Sequence, residues 1–109
     1  MKLDPDAIIG VEKTRDYLLS PRSRNDKARF FGRAGYTREG WEQLAADLRE
    51  QILPGEATLS EASPFGELFV ISGTLTGPNS STLDVTTIWI VDASSGETRF
   101  VTAYPWRRR

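Results

Sequence analysis

The chain has 109 residues, of which 39% are hydrophobic and 27% charged, and its formal net charge is −1. These values indicate one globular domain with a single core, and they exclude a disordered chain or overall attraction to nucleic acid. Histidine and cysteine are both absent, so disulfides and cysteine-ligated metals are excluded. Any catalysis must therefore use hydroxyls, lysines, arginines or carboxylates.

The first half of the chain has the pattern of helices. After an irregular lead at residues 1–10, three helices are predicted, at residues 11–19, 25–34 and 37–53. Tyr17 and Leu18 are the predicted core residues of the first helix. Asn25 and Thr37 carry side chains that cap helix N-termini. The third helix has an apolar stripe at helical spacing, formed by Trp41, Leu44, Ala45, Leu48 and Ile52.

Beyond Pro54 and Gly55 the apolar period changes from helical to two, which is typical of strands. Four strands are predicted, at residues 57–62, 67–76, 82–92 and 97–104. Short turns between successive strands predict an antiparallel meander. Helices followed by a sheet give an α+β fold, with the helices covering one face of a four-stranded antiparallel sheet. The predicted domain thus has helices at residues 11–53, a sheet at 57–105 and a basic tail at 106–109.

The last strand carries candidate donors to a phosphate. Strict alternation along a strand predicts one shared face for Thr98, Phe100, Thr102 and Tyr104. Thr102 and Tyr104 offer hydroxyls, and Arg99 offers a cation, although alternation directs Arg99 to the opposite face. The central strand offers two further hydroxyls, Thr86 and Thr87. Thr87 falls on the more apolar face of that strand, so its hydroxyl needs a partner, and it is either an ordinary strand former or a ligand donor.

Basic residues are concentrated in one segment. Residues 22–38 carry six lysines or arginines against Asp26 alone, and the chain ends in three arginines. Such a segment is either a solvated helix face or a local anion-binding surface. Lys27 shares a helical face with Phe31, whose neighbour is Phe30, so this helix is predicted to pack on the sheet with the lysine ammonium at the rim.

Several other chemistries lack their motifs. The sequence has no glycine-rich phosphate loop, no nucleophile elbow and no zinc-ligand spacing. Asp84 and Asp92 are far apart on one predicted strand and have no acidic partner motif of the kind a metal-dependent nuclease uses. No apolar run is long enough to span a membrane, and no signal-peptide pattern is present. We therefore expect no metal, no cofactor and no membrane association.

Five segments, in this order along the chain, carry a resemblance to a known family: Tyr17–Leu19, Lys27–Phe31, Gly73–Asn79, Val85–Trp89 and Phe100–Pro105. The chain resembles a family of small bacterial domains of unknown function that occur alone and at the C-termini of large secreted toxins. More distantly, that family resembles the ribonuclease superfamily of barnase, EndoU, colicin and RelE-type toxins. The resemblance implies helices packed on an antiparallel sheet, with RNA cleaved on the open face of the sheet without metal.

Transferred to this chain, the resemblance implies a metal-independent ribonuclease toxin. The implied catalytic residues are Lys27, Thr102 and Tyr104. Lys27 and Arg99 would hold the phosphate, Thr102 would donate to a non-bridging oxygen, and Tyr104 would orient or deprotonate the nucleophile. Because histidine is absent, the general acid and base stay unassigned. The implied substrate-binding residues are Arg29, Thr86, Thr87 and Arg99.

The expected partners are RNA, with tRNA one candidate, and a small acidic immunity or antitoxin protein. The expected location is the cytoplasm, reached either directly or by delivery into a target cell as the tip of a larger toxin. The alternative is a non-catalytic interaction domain whose sheet face or basic helix binds a cognate protein. A catalytic site predicts that the three catalytic candidates converge around a cleft, whereas a binding module does not.

Overall fold

The computed structural model describes residues 1–21 and 27–106. Helices come first in the chain. We number them α1, an α-helical turn at Val11–Lys13 that continues as a π-helix at Thr14–Leu18; α2 at Lys27–Gly32; and α3, which is α-helical at Trp41–Asp47 and π-helical at Leu48–Ile52.

Four strands follow, β1 at Thr58–Ser63, β2 at Gly66–Thr76, β3 at Thr82–Asp92 and β4 at Thr98–Pro105. They form one sheet in the order β1-β2-β3-β4, and every neighbouring pair is antiparallel. The predicted α+β fold with a four-stranded meander is therefore confirmed. Within the described residues, no helix is long and apolar enough to cross a membrane.

The core lies between the helices and one face of the sheet. The predicted apolar face of β3 is buried there, and Trp89 packs edge-to-face on Phe100 with ring centroids 5.1 Å apart. The apolar stripe of α3 is buried at three of its five positions, Leu44, Leu48 and Ile52. The middle of the opposite face of the sheet, which we call the open face, is lined by half-buried aliphatic residues of β2 and β3, Leu68, Val70, Ile88 and Ile90.

The third helix begins four residues later than predicted, and Thr37 is not its N-cap. Thr37 Oγ1 accepts a hydrogen bond from the backbone N–H of Gly40 at 3.1 Å, but residues 38–40 form a turn and the helix begins at Trp41. A threonine hydroxyl that binds a nearby amide stabilises turns as well as helix caps, and glycine disfavours the first helical turn. The predicted cap Asn25 lies outside the described residues.

A β-bulge in β4 changes which of its side chains share a face. Thr102 pairs with Ile88 and Phe100 with Trp89, so Val101 is an extra residue with no partner on β3. As a result Thr98 and Phe100 are buried on the helix-covered face, while Thr102 pairs with a residue of the open face. The prediction that these three share one side was wrong, because strict alternation assumes a regular strand.

The turn between β2 and β3 holds α2 in place. Asn79 donates its backbone N–H to the Ala34 carbonyl at 3.2 Å and its side-chain amide to the Arg33 carbonyl at 3.2 Å. Gly77 lies so close that a side chain there would overlap the Ala34 carbonyl. The hairpin turn therefore fixes the C-terminal end of α2 against the sheet.

The N-terminal segment covers part of the outer edge of β4. Ile8 forms a parallel bridge with Arg99, in which the Ile8 N–H donates to the Thr98 carbonyl and the Phe100 N–H donates to the Ile8 carbonyl, both at 2.8 Å. The chain then enters α1 at Val11. Beyond the bulge, the edge of β4 faces α1 across a cleft.

Candidate active site between α1, α2 and β4

Lys27 lies at the centre of a polar cluster that joins three elements. Its Nζ donates to Thr102 Oγ1 at 2.9 Å and to the Tyr17 hydroxyl oxygen at 3.0 Å. The same ammonium lies 4.8 Å from the centroid of the Tyr17 ring, within cation–π range. We call Tyr17, Lys27 and Thr102 the Lys27 cluster. It connects α1, α2 and β4 through side chains that are far apart in sequence.

Local structure explains how each member reaches the cluster. Phe31, one helical turn after Lys27, is fully buried and anchors the same face of α2. Thr102 directly follows the bulged residue Val101, which changes the direction of the edge strand. Tyr17 belongs to the π-helical part of α1, where the Leu19 N–H donates to the Thr14 carbonyl at 2.9 Å. Such π-helical turns are frequent at functional sites.

A cleft of about 370 Å³ opens beside the cluster. It is lined by Glu12, Lys13 and Tyr17 from α1 and by Val101 and Thr102 from β4. This volume lies in the range of small-ligand sites. The lining brings an ammonium, a carboxylate and two hydroxyls around one space.

The hydrogen bonds of the cluster define what it can offer a ligand. A lysine ammonium has three N–H donors, and within the described residues Lys27 uses two of them on hydroxyl oxygens, which leaves one for an anion. Thr102 Oγ1 is an acceptor in the bond with Lys27, so its own proton can be donated to a ligand. The cluster therefore presents a cation and a hydroxyl donor side by side, the pairing that a phosphate oxygen accepts.

Tyr104, the third catalytic candidate, lies next to the cluster and does not line the cleft. Tyr104 pairs with Thr86 of β3. It lies two residues beyond Thr102 along β4, so the Cα atoms of Tyr104 and Thr102 are about 7 Å apart. Its side chain is 42% exposed, and within the described residues its hydroxyl has no hydrogen-bond partner. The structure thus brings Lys27 and Thr102 into contact, with Tyr104 on the neighbouring open face of the sheet.

The two threonines of β3 have different surroundings. The Thr87 hydroxyl is completely buried, donates to the Ile71 carbonyl at 2.8 Å and accepts from Trp89 Nε1 at 2.7 Å. Its partner is therefore in the core, and we no longer consider Thr87 a substrate-binding candidate. The Thr86 hydroxyl faces the open side and shares a 2.9 Å hydrogen bond with Ser72 Oγ.

The two candidate arginines lie outside the cleft. Arg29 is exposed on α2. Arg99 donates to Glu97 at 2.9 Å in an exposed ion pair, a kind that contributes little to stability. Because of the bulge, Arg99 pairs with Ile90 and Thr102 with Ile88, so the two pair with residues of the same face, contrary to the alternation prediction.

Sequence reasoning missed Tyr17, Glu12 and Lys13. The sequence held a signal for Tyr17, because adjacent helical residues point in directions about 100° apart and cannot both face the core. Leu18 is fully buried, whereas Tyr17 is half-buried and reaches Lys27. No pattern identified Glu12 or Lys13, since their position depends on how α1 lies against β4. Within the described residues, no group of three acidic residues could hold a metal ion.

The fold and the cluster define a small α+β domain with a polar cleft at the edge of an antiparallel sheet. The chain belongs to the family described as a domain of unknown function, DUF6883, which it matches over residues 4–107. No curated protein and no solved structure matches the chain. The predicted membership in a small family of unknown function is confirmed at this level.

Proposed function

We propose that the chain is a metal-independent ribonuclease and the toxic half of a bacterial toxin–immunity or toxin–antitoxin pair. The observation that supports this proposal is the Lys27 cluster, in which an ammonium contacts a threonine hydroxyl and a tyrosine hydroxyl beside a cleft. The distant resemblance to ribonuclease toxins supplies the reaction class. The side chains supply the roles below.

In the proposed reaction the 2′-oxygen of a ribose attacks the adjacent phosphorus as its proton passes to a base. The bond from phosphorus to the 5′-oxygen breaks, and that oxygen takes a proton from an acid. The products are a 2′,3′-cyclic phosphate and a 5′-hydroxyl. Such a reaction needs a base, an acid and stabilisation of the charge that develops on the non-bridging oxygens.

Lys27 and Thr102 are the proposed stabilisers of that charge. Among the residues that the structure describes, two of the three N–H donors of the ammonium are used, so one is left, and the Thr102 hydroxyl can donate beside it. Tyr17 is a positioning residue, since its hydroxyl oxygen accepts from Lys27 and its ring lies against the same ammonium. Donors that are held in place before the reaction contribute more than donors that must reorient.

Glu12 and Lys13 are the proposed base and acid, because both line the cleft. A carboxylate is ionised at neutral pH and can accept the 2′-hydroxyl proton, whereas an ordinary phenol remains protonated. Lys13 supplies a second ammonium for the leaving oxygen. Tyr104 then keeps an orienting role on the open face, where it would contact the RNA chain beyond the scissile phosphate.

The test is expression of the chain in bacteria without a partner, followed by mapping of RNA ends. We expect growth arrest and new ends in tRNA or rRNA, with cyclic phosphate on one side and hydroxyl on the other. Purified protein should produce the same ends in the presence of a chelator. The Lys27→Ala variant, expressed to the same soluble level, is the control. Normal growth with intact RNA at high soluble expression of the parent would contradict the proposal.

The proposed partner is a small acidic protein that covers the basic segment around Lys27 to Arg38 or the face that bears Thr102 and Tyr104. Complementary charge accelerates association and blocks RNA access. A complex that leaves both surfaces open would count against this part of the proposal.

A second candidate function, that of a non-catalytic interaction domain, is favoured by β1. All six residues of this edge strand are exposed, and Leu59 and Phe65 at this end of the sheet are 50% and 81% exposed. An uncovered edge strand can pair with a strand of another protein. Under this alternative, substitutions in β1 abolish partner binding and substitutions in the Lys27 cluster do not.

A further inference from the structure

A second pocket lies on α1, separate from the cleft of the Lys27 cluster. It has a volume of about 320 Å³ and is lined by Arg15, Arg38, Glu39 and Trp41. We call it the Arg15–Trp41 pocket. The reaction proposed above uses none of these residues.

The carboxylate of Asp16 bridges the two arginines of this pocket. Asp16 accepts from Arg15 Nε at 2.8 Å and Arg15 Nη2 at 3.0 Å, and from Arg38 Nη2 at 3.4 Å. The hydrogen bond from Arg15 lowers the pKa of Asp16 below its ordinary value. Each guanidinium has five N–H donors, so donors remain on both arginines.

Glu39 differs from Asp16 because it has no partner among residues 1–21 and 27–106. Within the described residues, its carboxylate makes no hydrogen bond or ion pair although two arginines line the same pocket. Two positive and two negative side chains give this group, with Asp16 included, a formal charge of zero. A bare anion therefore gains little here, whereas a neutral group with both donors and acceptors can use Glu39 and the arginines together.

Trp41 supplies a flat surface in the same pocket. The indole is half-buried, packs against the core and also lines the cavity. An aromatic ring supported on one side can stack a nucleobase on the other. A planar, uncharged ligand with polar edges matches a pocket with this combination of groups.

We infer that the Arg15–Trp41 pocket binds a guanine base. Among the common bases, guanine alone presents two adjacent N–H donors, N1–H and the N2 amino group, to a carboxylate such as Glu39. Its O6 and N7 acceptors are the atoms that arginine recognises. Adenine, cytosine and uracil each place an acceptor next to the donor that would face Glu39.

The pocket and the cleft lie on different sides of α1, since Arg15 lines the pocket and Tyr17, two residues further on, lines the cleft. An RNA strand that passes over α1 could place a guanine in the pocket and one of its phosphates near Lys27. This consequence rests on the proposed ribonuclease function and predicts cleavage near guanosines. Binding of guanine itself does not depend on that function.

The experiment is calorimetric titration of the whole chain with guanosine monophosphate, adenosine monophosphate and inorganic phosphate. We expect guanosine monophosphate to bind at least about tenfold more tightly than adenosine monophosphate, as one bidentate base contact implies. Equal binding of both nucleotides with competition by inorganic phosphate would overturn the inference, and so would the absence of guanosine monophosphate binding.

Glu39→Gln gives the sharpest test, because guanine recognition and simple anion binding predict opposite changes in the affinity for guanosine monophosphate. If the pocket is an anion site, removal of the negative charge strengthens the binding of both nucleotides. If Glu39 contacts the base, the affinity for guanosine monophosphate falls by about tenfold or more. Glu42→Gln, at an exposed position one residue beyond Trp41, is the matched control and should leave the affinity for both nucleotides unchanged. Glu39 is exposed, so the fold is not at risk.

The two proposals can fail separately. If the chain binds guanosine monophosphate selectively but leaves RNA intact, the guanine-pocket inference stands and the ribonuclease proposal fails. If the chain cleaves RNA without preference for guanosine and does not bind guanosine monophosphate, the ribonuclease proposal stands and the guanine-pocket inference fails.

Discussion

Lys27 and Thr102 are 75 positions apart in the sequence, and their side chains meet at 2.9 Å. The contact joins a short helix to an edge strand and is completed by Tyr17 from a second helix. A lysine that only covered apolar surface would extend its ammonium into water. This ammonium is instead held by two hydroxyl oxygens at the border of a cleft.

The first prediction concerns the two stabilising groups. Thr102→Val removes one hydroxyl with little change of shape, and Lys27→Ala removes the charge. Loss of a preorganised donor typically lowers the rate by roughly 10²–10³-fold. We expect that loss in RNA cleavage and toxicity, with a thermal midpoint near that of the parent. Thr58→Val, on the exposed strand β1, is the matched control. If both variants stay toxic while folded, the site has been misplaced.

Tyr17→Phe tests the positioning role. The variant keeps the ring near Lys27 and loses the hydrogen bond, so we expect a decrease in kcat of about tenfold or more, as for one hydrogen bond with a charged donor. The effect should be non-additive with Thr102→Val, since both bonds hold the same ammonium. Strictly additive effects in the double variant would show that Tyr17 does not act through Lys27.

Tyr104→Phe tests whether the open face of the sheet contributes to RNA cleavage in addition to the cleft. Because Tyr104 is exposed and lies beside the cluster, we expect unchanged stability and a loss of cleavage of roughly tenfold, smaller than that of Thr102→Val. The measurement is cleavage of a defined RNA under single-turnover conditions. Unaltered cleavage would exclude the open face at Tyr104 from substrate contact.

Gly77→Ala should destabilise the fold. A methyl group there overlaps the Ala34 carbonyl, so the turn that holds α2 must shift, at a cost of about 1–3 kcal/mol. Gly32→Ala is the matched control at the end of the same helix, because a methyl group at Gly32 meets no atom within 4 Å. Urea denaturation of the two variants measures the difference. Equal midpoints would show that the turn does not support α2.

The last prediction is an alkaline transition. Burial, the hydrogen bond to Asp47 at 2.7 Å and the charge of that carboxylate raise the pKa of Tyr36 above its ordinary value of 10.0. A raised pKa means that the stabilisation is complete below about pH 10 and is lost as the pH rises further. Tyr36→Phe should be less stable at neutral pH but lose less stability between neutral pH and pH 11. Parallel pH curves for parent and variant would contradict this.

Much of the architecture follows from the sequence alone. The change of apolar period after Pro54 and Gly55 separates helices from strands, and both periods are local properties of the chain. The buried face of β3 was also predictable, because alternation holds wherever a strand is regular. Lys27 and Thr102 were identified as candidates through their motifs.

The geometry of the candidate site depended on tertiary structure. The bulge at Val101 reverses the alternation of β4, and nothing local in that sequence reveals an unpaired residue, since a bulge is a property of two paired strands. Tyr17 joins Lys27 only because α1 lies against the edge of β4. Thr87 lost its candidate role for the same reason, because its partners Ile71 and Trp89 are set by strand register and core packing. Periodicity determines which residues form each element, whereas contacts between elements decide which hydroxyls remain available for chemistry.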